Sequence, residues 1–284
     1  MSVASGDIGC EVVTTRSGAS AVRDLTTGEL MHPIVGPIVE AATLYVSPSK
    51  LGERLQKGAP GGAGPLVLLD VGLGAGSNAI AAWKLSERMP AGARRLEIVS
   101  FDRTVAAMDL ALGEKHAAAF GFEGGARDAA RSLVETGRHE TSRTLWRLVL
   151  GELPSTLVAE REGTADIVFW DPFSPRANPS LWSTGAFVAL RRLCRDGATV
   201  HTYSAATATR SALLLAGFAV GVGAATSESK QTTKAAVDAL DLEQPLDRRW
   251  LDRLSRSSAP FPLDAPPEAL ARIAALAQFA IALR

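Results

Sequence analysis

Two short apolar runs each end in a turn with chemical capacity: Leu66-Val-Leu-Leu-Asp70-Val-Gly72-Leu-Gly74-Ala-Gly76 and Asp166-Ile-Val-Phe-Trp-Asp171-Pro172-Phe173-Ser174-Pro175. In the second, a carboxylate precedes a proline whose φ is locked, which makes a rigid acceptor. Such an acceptor can hold the hydrogens of an amine aside, so that the nitrogen lone pair lines up with an electrophilic carbon. Asp171 is the expected substrate-orienting residue. Phe173 offers a face on which a planar base can stack. A plain Asp-Pro turn that starts a helix is the competing reading of the same residues.

In the first turn, three glycines in five residues let the backbone bend sharply and approach a ligand with no Cβ in the way. A dinucleotide fingerprint needs glycine at the sixth position of the motif, where this chain has Ser77. That spacing disfavours NAD and FAD. It suits S-adenosylmethionine, which carries no pyrophosphate, with Asp70, Gly72, Gly74 and Gly76 as the cofactor turn; a turn that serves packing alone is the alternative. Asp102 closes a second apolar run, 96–101, at about the distance where an acid meets a ribose hydroxyl pair. It could also cap a helix over 104–116, and the two roles are compatible. Gly151-Glu152 follows a third run, 145–150, and places Glu152 as a candidate partner for the adenine amino group or as a solvated loop acid.

These turns need a scaffold, and the pattern supplies one. Runs at 66–71, 96–101, 145–150, 166–170, 198–203 and 218–223 read as strands, and 77–85, 104–116, 125–140 and 181–194 as helices. Asn178-Pro179 starts the last of these helices, and Arg195-Asp196-Gly197 is expected to turn the chain into the next strand. The alternation predicts an α/β fold with a Rossmann-like sheet and ligand sites beyond the carboxyl ends of its strands. Residues 11–14 and 21–24, joined through Arg16-Ser-Gly18, read as an N-terminal hairpin that covers one face of the site. A glycine- and proline-rich connector spans 57–65. Prolines 260, 262, 266 and 267 and a helix over 268–283 make a C-terminal helical appendage. The expected division is 1–60, hairpin and lead-in; 61–243, core; 244–284, appendage.

From Asp70 to about Phe218 the chain resembles the methyltransferase half of the bacterial bifunctional enzymes that complete 5-methylaminomethyl-2-thiouridine at the tRNA wobble position. The resemblance rests on Gly72-Leu-Gly74-Ala-Gly76-Ser-Asn78 with Trp83, and on Ser100-Phe101-Asp102 with Asp109-Leu-Ala-Leu112. It continues through Asp171-Pro-Phe173-Ser-Pro175-Arg-Ala-Asn178-Pro179-Ser-Leu-Trp182 and Thr202-Tyr203-Ser204 to Phe218. Upstream, Met31-His32-Pro33-Ile-Val-Gly36 and Leu44-Tyr45-Val46 are similar to the family's lead-in, which implies Glu40 near the cofactor. The resemblance implies a class I S-adenosylmethionine-dependent methyltransferase sheet, Asn78 in the cofactor turn, Asp171 touching both cofactor and amine, and N-methylation of an aminomethyl group on tRNA.

The departures bear on the substrate. Pro172 stands where the family usually has glycine, Glu152 where it has Asp, and the family's basic pair is unmatched around 224–234. No counterpart of the FAD-dependent oxidase half is found, so a separate oxidase partner stays an open expectation. Three other functions remain: a small-molecule amine methyltransferase, an inactive methyltransferase-fold binding protein, and an aminopropyl transferase. The last requires a further acid pair near the fourth strand, for which Asp166 alone is available.

Thirty Lys and Arg balance thirty Asp and Glu, so no global field draws the chain to nucleic acid and any RNA contact must be local. The candidate patch is Arg248, Arg249, Arg253 and Arg256, with Lys230 and Lys234; Asp247 and Asp252 leave a salt-bridged surface helix as the alternative. Cys10 and Cys194 lack framework spacing, as in a reducing compartment. His32, His116, His139 and His201 show no ligand spacing, so no metal is expected and each reads as structural, with a site role for His32 as the alternative that the resemblance implies. No run reaches membrane-span length, and the start shows no secretion signal, so the expected location is the cytoplasm.

Overall fold

A computed structural model describes residues 9–31, 36–57, 64–225 and 231–280. Three strands, β1 (Cys10–Thr14), β2 (Ser20–Asp24) and β3 (Leu30–Met31), form a small antiparallel sheet. The main sheet holds β4 (Leu66–Val71), β5 (Leu96–Asp102), β6 (Arg138–Glu140), β7 (Thr144–Leu150), β8 (Ala165–Trp170), β9 (Cys194–Thr202), β10 (Ala219–Val222) and β11 (Thr233–Ala236). Their order is β10-β11-β9-β8-β4-β5-β7-β6. The five central strands are parallel; β6 and β11 pair antiparallel with their neighbours at the two ends.

Every residue of β4 and β8 is buried, as the unbroken apolar runs require of strands covered on both faces. The period of two then splits them between two cores. Leu68, Ile167 and Phe169 join Trp83, Phe120 and Trp146 on one face. Leu69, Val71, Val168 and Trp170 join Phe187, Leu213 and Trp250 on the other. Truncation of a ring at this depth, such as Phe169→Ala, costs about 3–5 kcal/mol.

The helix Gly125–Thr136 buries Ala126, Ala129, Ala130 and Leu133, an i, i+3, i+4, i+7 stripe, and stops at Gly137, whose φ of 76° is left-handed. It is shorter than the pattern over 125–140 predicted, because Arg138–Glu140 instead pairs with β7 as an edge strand. The helix expected over 104–116 is a short one, Ala106–Ala111, followed by a 3-10 turn at Ala117–Phe120. Arg195-Asp196-Gly197 belongs to β9 rather than to a turn before it, and the register of β8 and β9 shifts between Ala165 and Ile167. At the C-terminus, Ala269–Ala274 and Ala277–Ala280 replace a single helix. There Gln278 joins residues 244–246 in covering the outer edge of β10: its Oε1 accepts from Val220 N (2.9 Å) and its Nε2 donates to Val220 O (2.6 Å) and Leu246 O (3.0 Å). Among the described residues, no helix is long and apolar enough to cross a membrane.

Candidate functional site

The carboxyl ends of β4, β5, β8 and β9 open into a cavity of about 1160 Å³, with Glu29, Leu30 and Met31 of the small sheet along its wall. Gly72, Gly74 and Gly76 have φ of 90°, 52° and 80°, values that other residues adopt only with strain. The turn they form is pinned by Gly72 N and Leu73 N donating to Phe101 O (3.0 and 3.2 Å). A Cβ at Gly72 would lie 2.7 Å from the carbonyl oxygen of Asp171, and one at Gly74 would lie 3.1 Å from Met31 Sδ. The glycine turn and the acid turn are therefore in contact, joined also by Asp171 N donating to Val71 O (2.9 Å).

The Asp171 carboxylate is held on both oxygens. Tyr45 Oη donates to Oδ1 (2.5 Å) and Asn78 Nδ2 to Oδ2 (2.7 Å). Burial, and then the Asp171 charge, push the Tyr45 phenol well above its ordinary pKa, so it remains a neutral donor. The residues after Asp171 are fixed as firmly. Tyr203 Oη donates to Pro172 O (3.1 Å), Trp182 Nε1 to Phe173 O (2.7 Å), and Ser174 N and Oγ to the carboxylate of Glu29. Trp182 and Tyr203 meet edge to face at 5.6 Å.

Asp102 lines the cavity and at the same time organises it. Its Oδ2 accepts from Gly74 N (2.9 Å) and its Oδ1 from Arg103 N (2.7 Å) and Thr104 N (3.4 Å). Burial raises its pKa, and those backbone N–H groups pull it partly back. Glu40, 5% exposed, and Glu152 line the same space. Acidic Asp24, Glu29, Glu40, Asp102, Glu152 and Asp171 thus face a single basic lining residue, Arg103, among the described residues. An acid-rich, glycine-floored cavity fits a ligand that carries a sulfonium and an ammonium group.

Of the residues the sequence proposed, Glu40, Gly72, Gly74, Asp102, Glu152, Asp171 and Phe173 lie together on the cavity wall. Asp70, Gly76 and Asn78 stand behind it. Asp70 is 1% exposed and accepts from Ser100 Oγ (2.7 Å), itself a partner of Trp146 Nε1 (2.9 Å). Asn78 acts on the cavity through Asp171. Lys234 is no part of an exposed patch, since it is buried and paired with Glu243 at 2.7 Å. Lys230 and His32 lie outside the described residues. The acid pair that an aminopropyl transferase needs is not assembled at the cavity, because Asp166 sits at the opposite end of β8.

Sequence reasoning missed Tyr45 and Tyr203 as site residues, and Glu29 with them. A signal was present: the chain has only two tyrosines, and both hydroxyls end on the turn 171–172.

Residues 129–238 match a family model described as S-adenosyl-L-methionine-dependent methyltransferase. The chain is 30% identical over 234 residues to the tRNA 5-methylaminomethyl-2-thiouridine biosynthesis bifunctional protein MnmC of Methylibium petroleiphilum, covering 78% of the chain and 34% of that protein. It is 31% identical to the protein of the same name from Ralstonia nicotianae, covering 73% and 32%. The chain thus spans about a third of the length of these relatives. Among solved structures, MnmC2 from Aquifex aeolicus superposes with a TM-score of 0.72 at 25% identity, covering 95% of this chain and 85% of that one.

Proposed function

The chain is an S-adenosylmethionine-dependent methyltransferase, similar to the methyltransferase part of the MnmC proteins, and on that premise we propose that it methylates the aminomethyl nitrogen of a tRNA wobble uridine. One observation carries the reading. The Asp171 carboxylate, held by two neutral donors, stands against the glycine turn on the wall of an acid-lined cavity.

The residues on the wall divide the work. Gly72, Gly74, Glu40, Asp102 and Glu152 hold the cofactor, with Asp70, Gly76 and Asn78 supporting them from behind. Bound there, the cofactor supplies a methyl group on a sulfonium sulfur. The acid lining favours entry of the substrate as an ammonium ion. Before transfer the nitrogen must lose a proton, to Asp171 or to solvent, since a protonated amine has no lone pair. Asp171 then accepts one of the two remaining N–H groups and aims the lone pair. Because Tyr45 and Asn78 fix its carboxylate beforehand, little reorganisation is left for the reaction itself. Phe173 provides the face on which the uracil ring stacks. A wobble base in an anticodon loop is already unpaired, so bringing it into a cavity costs little.

The test is methyl transfer to tRNA from cells that lack the final methylation, with nucleosides read by mass spectrometry. The expected product is the wobble uridine with one added methyl group. Protein that binds the cofactor yet adds no methyl to this tRNA would end the proposal. Turnover of a small amine in the same assay would move the substrate to that class.

A further inference from the structure

We infer that the exposed face of the helix Arg248–Leu254, extended to Arg256, is the surface on which the phosphate backbone of a nucleic-acid substrate lies. The inference rests on the tRNA reading above, and assigns the surface it needs.

The helix is amphipathic by construction. Asp247 caps it, accepting from Trp250 N (3.1 Å), while Trp250 and Leu254 turn into the core and Trp250 stacks on Phe279 at 6.0 Å. Arg249, Arg253 and Arg256, spaced i, i+4, i+7, share one exposed stripe that runs beside the buried Trp250 and Leu254, with exposed Arg248 about 100° further round the helix. None of the four makes an ion pair among the described residues, although Arg54, Arg94, Arg95, Arg138, Arg147, Arg192 and Arg195 all do. Neither of the two nearby acids forms an ion pair with them. Asp247 serves as the cap, and Arg256 Nε donates to the main-chain oxygen of Asp252 (3.1 Å) rather than to its carboxylate. A salt-bridged surface helix, the competing expectation from the sequence, is not what forms.

The helix also connects to the cavity. Leu254 shares a core with Leu213 and Leu214 of the helix Thr207–Leu215, and Ser211 Oγ of that helix donates to Pro260 O (2.7 Å), just past Arg256; Arg210 is the residue before Ser211. Arg210 is buried and donates from Nη2 to Thr232 O and from Nε to Thr233 Oγ1, both at 3.0 Å, and Thr233 Oγ1 in turn donates to Ser204 O (2.6 Å). Thr232 and Ser204 are part of the cavity wall. Two charge regimes therefore meet: acids inside the cavity, unpaired arginines outside it. A polyanion with one cationic side group matches both, phosphates on the helix and ammonium within. A free amine matches only the first.

The experiment uses the whole chain and unfractionated bacterial tRNA, with Kd measured by filter binding across a salt series. The variant is R249Q/R253Q/R256Q, compared with wild type and with R131Q, an exposed change on the helix Gly125–Thr136. Each lost phosphate contact lowers the slope of log K against log salt by about 0.7–0.9. The triple variant should lose roughly 2 from that slope and bind tRNA at least tenfold more weakly, while cofactor affinity and R131Q stay at wild-type values. R249Q and R253Q alone should each lose about a third of the effect, which keeps the test intact if the triple variant folds poorly.

Equal binding and equal slope in wild type and variant overturn the helix assignment and leave the tRNA reading standing. Loss of binding in the variant, with no methyl transfer to tRNA by wild type, supports the surface and removes the reaction. Wild type that fails to bind tRNA at all removes both.

Discussion

β8 carries an aspartate near each end, and the structure treats the two in opposite ways. Near the amino end, Asp166 is buried, accepts Val67 N (2.8 Å) and is ringed by Arg195, Arg54 and Arg94 at 3.5, 3.8 and 3.9 Å. Just beyond the carboxyl end, Asp171 is held by a phenol and an amide. Guanidinium groups neutralise a carboxylate and absorb its charge into the scaffold. Neutral donors fix a carboxylate's position without cancelling its charge. The kind of donor around each acid, more than its depth, distinguishes the two carboxylates.

Asp171→Asn tests the functional end and should have the largest effect. The shape and one set of hydrogen bonds survive, but the charge and the second acceptor are gone, so turnover should fall about 10³-fold with cofactor Kd within about threefold of wild type. Single-turnover rates and calorimetry separate the two quantities. A full rate from this variant would show that the carboxylate does not orient the amine. Asp166→Asn tests the other end, and the signature should invert. Three arginines would be left facing one another without their anion, at a cost of about 2–4 kcal/mol; partial solvation of Arg54 and Arg195 keeps it from the top of the range for buried pairs. Denaturant melts should show that loss while kcat in the surviving folded protein is unchanged. A drop in kcat with stability intact would dissolve the contrast between the two ends.

The same contrast explains how far the sequence could be read. The glycine turn and the Asp171-Pro172-Phe173 turn were visible because backbone conformation and local chemistry constrain them within a few residues. Tyr45 was not, since its partner lies 126 positions away and its own segment is a π-helical turn, Ala41–Val46, with no period to expose it. β11 was missed for a related reason: Thr-Lys-Ala-Ala has no apolar run, and becomes a strand only by insertion between β9 and β10. Charge was the least readable feature. Lys234, expected in a basic patch, is paired with Glu243, whereas Arg249 and Arg253, with acids nearby in sequence, make no ion pair among the described residues.

Tyr45→Phe sharpens the comparison by removing one neutral donor and nothing else. The ring still packs on Phe169, 5.4 Å away, so the fold should be unaffected. Asp171 would gain rotational freedom, and kcat should fall about 10- to 100-fold, a cost typical of an ångström of misplacement. The cofactor KM should not move. A lowered melting temperature with unchanged kcat would assign the hydroxyl to the scaffold, alongside Asp166.

The smallest effect concerns His201, which is buried on β9 opposite Phe169 and beside the charges of Lys234 and Arg54. Burial first, and those cations second, depress its pKa from 6.5 to about 3. The folded protein therefore keeps the imidazole neutral, with Thr199 Oγ1 3.1 Å from its Nε2, while the unfolded chain binds a proton below 6.5. Stability from this group is fully present above pH 6.5 and is lost as pH falls from there toward about 3, at up to about 1.4 kcal/mol per pH unit. Urea midpoints for wild type should drop between pH 6.5 and 5.5 more steeply than those for His201→Gln, which has no proton to take up. The cavity should not share this dependence: over the same interval the cofactor affinity of the two proteins should run parallel, and a divergence there would mean that His201 and the Asp171 turn are one coupled unit rather than two separately held features.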